Sequence, residues 1–106
     1  MTRKKYNVIL AQRADFMLLS HTAFLAKASP TAAKRLLSDF RKATDRMSNN
    51  PFQFPFADEF DAPGIPLEKY RKCLFDDRYK ALFVVENDNV FVDAIIDCRQ
   101  ENKTVF

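Results

Sequence analysis

The sequence has one glycine, one histidine, two cysteines, no tryptophan, and no apolar run approaching the roughly 20 residues that a membrane-spanning helix needs. Each shortage excludes something. A single histidine and two cysteines spaced far apart, Cys73 and Cys98, cannot supply the three or four ligands of a zinc site. The chain therefore calls for no metal or cofactor. The basic start Arg3-Lys4-Lys5 precedes only five residues of apolar character, at 6–10, too short for the core of a signal peptide. With no disulfide spacing to suggest export, a reducing cytosol is the expected setting. The strands expected below would put the two cysteines on strands separated by a third, about 10 Å apart, as reduced, half-buried residues.

What is present suits a folded domain. At 106 residues, with 47% hydrophobic and 29% charged residues, one packed domain over 1–106 is expected, and eleven Phe supply its core. Each buried Phe contributes roughly 1.5–3 kcal/mol of transfer free energy. The net charge of +3 conceals an asymmetry: residues 1–50 carry +7, 51–67 carry −3 and 68–106 carry −1. Any attraction for polyanions thus belongs mainly to the N-terminal half.

Residues 6–10 read as a short strand with Tyr6, Val8 and Leu10 on one face. Residues 13–28 lack Gly and Pro and favour helix, with Asp15 in the first turn, although Ala11 and Gln12 make a poor N-cap. Phe16, Met17, Leu18, Leu19, Phe24 and Leu25 spread around this helix, which predicts burial between two layers. Ser29-Pro30 starts a second helix, with Ser29 as N-cap and Pro30 at the first helical position. Its apolar face is Ala33, Leu36, Leu37, Phe40, Thr44 and Met47; Lys34, Arg35, Arg41, Lys42 and Arg46 make the opposite face basic. Asn49-Asn50-Pro51 ends it, Asn tolerating a left-handed cap. The short joint between the helices predicts an antiparallel hairpin.

Residues 51–67 hold four of the five prolines and the glycine, and read as a connecting segment. Phe52, Phe54 and Phe56 alternate there, so an extended piece would lay three rings on one surface, over the core or against a partner. Three strands follow at 70–75, 79–86 and 90–97, with turns at Asp76-Asp77 and Asn87-Asp88-Asn89. Their short connections imply an antiparallel meander. The fold class is α+β: strand, helix hairpin, three-stranded meander.

Several segments together carry a family resemblance: Tyr6-Asn7-Val8, Ala14-Asp15-Phe16, Asn50-Pro51, Tyr70-Arg71-Lys72, Arg78-Tyr79 and the run from Val92 to Gln100 that contains Asp97 and Arg99. Taken with the element order, the chain resembles the RelE/ParE superfamily of type II toxin–antitoxin toxins, also called plasmid stabilisation proteins. The resemblance implies a growth-inhibiting toxin neutralised by a cognate antitoxin. RelE-like members cut messenger RNA at the ribosome with arginines, lysines and a C-terminal Tyr or His. ParE-like members share the fold, lack that set and poison DNA gyrase. A third possibility is an inactive member that only binds its antitoxin, and self-association stays open.

Cleavage next to a 2′-hydroxyl requires a base, an acid and cations to stabilise the phosphorane. By the resemblance, Arg71, Arg78 and Arg99 are the candidates for catalysis, and Lys72, Lys80 and Lys103 for contacts with RNA or another target. Arg71 and Arg78, with Asp76 and Asp77 close by, read rather as solvated strand ends, whereas for Arg99, between Asp97 and Glu101, the two readings balance. The tail ends in Val105-Phe106, without the Tyr or His of the RNA-cleaving members. Tyr79 reads as a packed strand residue and His21, mid-helix, as a structural or exposed one. The missing tail Tyr or His and the −1 balance of residues 68–106 tilt the reading slightly toward a ParE-like poison over an endoribonuclease.

Overall fold

The computed structural model describes residues 5–98. The elements run β1 (Asn7–Leu10), α1 (Gln12–Ala28), α2 (Pro30–Asn49), a 3-10 turn (Pro51–Gln53), β2 (Arg71–Phe75), β3 (Tyr79–Glu86) and β4 (Asn89–Asp97). The α+β class and the hairpin-plus-meander order are as the sequence implies. In the four-stranded sheet the order is β1-β4-β3-β2, with β1 parallel to β4 and the other pairs antiparallel. A parallel pair needs a long crossover, and the helix hairpin supplies it. β3 is apolar on both faces, with Ala81, Leu82 and Phe83 fully buried between two covering layers.

Both turns rely on residues that accept positive φ: Asp76 and Asp77 at 52°, Asn87 at 55°. The register slips between Leu82 and Phe83, leaving Asp93 as an extra residue on β4. A bulge of this kind reverses the alternation. Val90 and Val92 face the helices before it and Ile95 after it, while Ala94 faces the other side.

The helices cover one face of the sheet. Ser29 caps α2, its hydroxyl accepting from Ala32 N–H at 3.1 Å, and Leu36, Phe40, Ala43 and Met47 are buried against Phe75, Tyr79 and Phe83. The α2 C-terminus differs from expectation: Asn50 is extended at φ −157°, and its side chain instead accepts from Phe52 N–H to start the 3-10 turn.

Two packing expectations are corrected. Burial of α1 between two layers does not occur; Ala14 and Leu18 are buried, whereas Phe16, Leu19 and Phe24 are 71%, 59% and 65% exposed. The second layer lies on the far side of the sheet, where residues 57–65 form a strap. Ala57, Ala62 and Ile65 pack there on Tyr70, Leu82 and Ala94. The three phenylalanines also do not share a surface. The 3-10 turn breaks the alternation, so Phe54 enters the core edge-on to Phe83 while Phe52 and Phe56 stay outside. Cys73 is a buried residue of β2, but Cys98 follows β4 and is exposed.

Candidate functional site

The strand ends gather most of the candidate cations, each already engaged inside the protein. Arg78 follows the Asp76-Asp77 turn, beside the end of β4. Its Nε lies 3.1 Å from both oxygens of Asp97 and its Nη2 2.8 Å from one. The Asp97 side chain is 2% exposed, so this fork supplies the charge that makes its burial tolerable. The bonds to Asp97 also raise the Arg78 pKa, holding the guanidinium charged. Asp76, two residues before Arg78, pairs instead with Arg35 of α2 at 2.9 Å.

Arg71 stands at the opposite end of β2, about 13 Å along the strand from the turn that carries Arg78. Its guanidinium lies between two rings, 4.2 Å from the Phe56 centroid and 5.3 Å from that of Phe52, and donates to the Phe54 carbonyl at 2.7 Å. Cation–π contact and a backbone bond fix its plane. Phe56 reaches this position through a bridge to Arg71 that extends the sheet beyond β2. The structure thus separates Arg71 from Arg78 and brings Arg71 together with two of the three candidate partner-binding rings. Arg99 and Lys103 lie outside the described residues.

Lys72 and Lys80 do come together. They sit diagonally on adjacent strands, Lys72 opposite Leu82 and Lys80 opposite Leu74, on the strap face. Both donate to one carboxylate, Asp61 of the strap, Lys72 at 2.9 and 3.0 Å and Lys80 at 2.7 Å. Burial pushes the Asp61 pKa up, but the hydrogen bonds, led by that from Lys80, outweigh it and bring the group down to about 2. Sequence reading passed over Asp61 because it lies in a Pro-rich link with no periodicity to assign it a face. Asp93 was passed over for a different reason, because the bulge in β4 sets it outside the alternation of the strand. At the bulge it accepts from the Tyr70 hydroxyl at 3.0 Å and from Arg13 at 3.2 Å. Burial, and then the Asp93 carboxylate, raise the Tyr70 pKa, which makes the phenol a poor base near neutrality.

His21 is structural, as expected. Its Nε2 lies 3.0 Å from the Ile95 carbonyl, which can only accept, and the ring packs 5.2 Å from buried Tyr79. The basic face of α2 is partly used as well: Arg46 turns inward to the Leu74 carbonyl and over the Phe54 ring, and Lys42 pairs with Asp39. No group of three or more potential metal ligands occurs among the described residues. Likewise, no helix among them is long and apolar enough to cross a membrane.

Two of the open surfaces among the described residues are apolar enough to receive a partner. One is the α1 stripe of Phe16, Leu19 and Phe24. The other is a groove of about 590 Å³ between β1 and α2, lined by Val8, Leu10, Leu37, Phe40, Arg41 and Thr44 among others. β1 is an edge strand there. Asn7 and Ala11 N–H groups bond toward β4, so by alternation Val8 and Leu10 turn their backbone groups toward the groove.

No family model matches the sequence, and no curated protein matches it. Among solved structures, the fold is similar to a chain described as "Chromosomal ParDE TA system from P. aeruginosa", with a TM-score of 0.66 and 12% identity. The match covers 88% of this chain and 96% of that one. At such identity the likeness is one of fold, and it spans the α+β arrangement of strand, helix hairpin and meander.

Proposed function

We propose that this chain is the toxin of a type II toxin–antitoxin pair, neutralised by a cognate antitoxin protein, and that it acts as a ParE-like poison of DNA gyrase. The observation carrying the toxin reading is the fold likeness to a ParDE chain over nearly the full length of both proteins. The sequence resemblance points the same way. The preference for a non-nuclease action rests on the state of the cations. Arg78 is committed to Asp97, and Arg71 to two rings and a carbonyl. A phosphorane would have to displace these partners before it gained any stabilisation. Neither His21 nor Tyr79 is placed as a general base, since one bonds a backbone carbonyl and the other is buried.

An antitoxin would find apolar area on the α1 stripe and an open strand edge at β1, with Phe52 and Phe56 exposed nearby. Exposed apolar patches with a polar surround are the usual mark of such interfaces.

The test is a paired assay on purified protein. Incubation with DNA gyrase and plasmid is expected to yield gyrase-linked DNA breaks, while messenger ends mapped in a translation reaction stay unchanged. Codon-phased messenger cuts that disappear in Arg99→Ala would overturn the gyrase reading in favour of a ribosome-dependent endoribonuclease. Neither breaks nor cuts would leave a protein that only binds antitoxin.

A further inference from the structure

On the strap face, two ammonium groups share one carboxylate. Asp61 has a side chain 5% exposed, and it is the sole carboxylate among the described residues bonded to Lys72 (27% exposed) or Lys80 (13%). One positive charge of the cluster is therefore left over in a partly desolvated place, where charge imbalance is costly. The buried apolar side chains of the segment bearing Asp61 are two alanines and one isoleucine, and its Phe60 is 94% exposed. Ala57 N–H bonds the Tyr70 carbonyl at 2.7 Å; the other backbone bonds lie within the strap, from Asp61 and Ala62 N–H to the Asp58 carbonyl, from Ile65 N–H to the Ala62 carbonyl at 3.1 Å, and from Asp58 N–H to the Asp61 carboxylate at 2.9 Å.

We propose that Lys72 and Lys80 form an anion site, that Asp61 is its built-in occupant, and that a terminal phosphate group displaces this carboxylate and lifts the strap from the sheet. A carboxylate brings one negative charge and two oxygens to the lysines. A phosphate monoester brings between one and a half and two charges and three acceptor oxygens, and so satisfies both ammonium groups. No bond is made or broken; the exchange is of one anion for another. The strap functions as a plug whose removal uncovers two cations together with the apolar side chains of Leu82 and Ala94. This inference does not depend on the toxin reading and stands or falls separately from it.

Inorganic phosphate and a nucleoside 5′-monophosphate serve as probes, titrated into wild type and Asp61→Asn by calorimetry at fixed ionic strength. Because the tethered carboxylate competes at a high effective concentration, Asp61→Asn is expected to bind phosphate at least ~tenfold more tightly than wild type. Adding Lys80→Gln to that variant is expected to abolish the gain. Tighter binding of the nucleotide than of phosphate assigns a nucleotide ligand; equal binding assigns the free anion. A folded Asp61→Asn protein with wild-type affinity overturns the proposal. Should Asp61→Asn fail to fold, hydrogen exchange on wild type decides. The Ala57 and Ile65 amides are expected to exchange faster in phosphate than in chloride of equal ionic strength, and unchanged rates overturn the proposal.

Discussion

The two faces of the sheet are sealed by different physics. On the helix face, Leu36, Phe40, Met47, Phe75, Tyr79 and Phe83 interlock, and the layer is held by apolar area. On the strap face the covering side chains are small, and one carboxylate clamped between two lysines does much of the holding. Area burial is insensitive to pH, whereas a charge clamp responds to pH and is screened by salt. The comparison predicts a molecule with a firm side and a conditional one.

The largest effect is expected on the firm side. Phe83→Ala, at a fully buried position, is expected to cost about 3–5 kcal/mol in denaturant unfolding. A loss under 1 kcal/mol would mean the helix layer is not the main core. Next comes Asp97→Ala, which strands the partly buried Arg78 and removes three charge-assisted bonds. A cost of about 2–3 kcal/mol is expected, with the hairpin amides at residues 75–79 losing exchange protection first.

The conditional side is addressed by pH. The Asp61 pKa lies below its ordinary value of 3.8, at about 2. A depressed carboxylate contributes stability above its unfolded pKa and loses it as pH falls through the folded one. Strap amides are therefore expected to lose protection between about pH 4 and pH 2, and Asp61→Asn is expected to flatten that dependence. Equal loss on both faces would erase the distinction drawn here. The smallest effect belongs outside both faces: Phe24→Ser, at a ring 65% exposed on α1, is expected to change stability by less than about 0.5 kcal/mol. It should nevertheless weaken antitoxin binding, measurable by calorimetry.

The firm side was legible in sequence because its signals are local. Ser29-Pro30, the spacing of Leu36, Phe40 and Met47, and the Asp and Asn turns each act within a few residues. The conditional side was not, because its meaning lies in partners distant along the chain: Asp61 with Lys80, Asp93 with Tyr70. The bulge at Asp93 reverses a two-residue alternation, which no reading of β4 in isolation reveals. Phe54 was misplaced with its neighbours because a 3-10 turn at Pro51–Gln53 has no apolar period. The exposed rings of α1 were read as a buried helix because composition counts apolar residues without saying which molecule covers them.

Growth after induction of this chain alone, with soluble accumulation verified, tests the toxin reading most directly. Arrest and falling viable counts are expected, relieved when the cognate antitoxin is produced alongside. Unimpaired growth with abundant folded protein would contradict it.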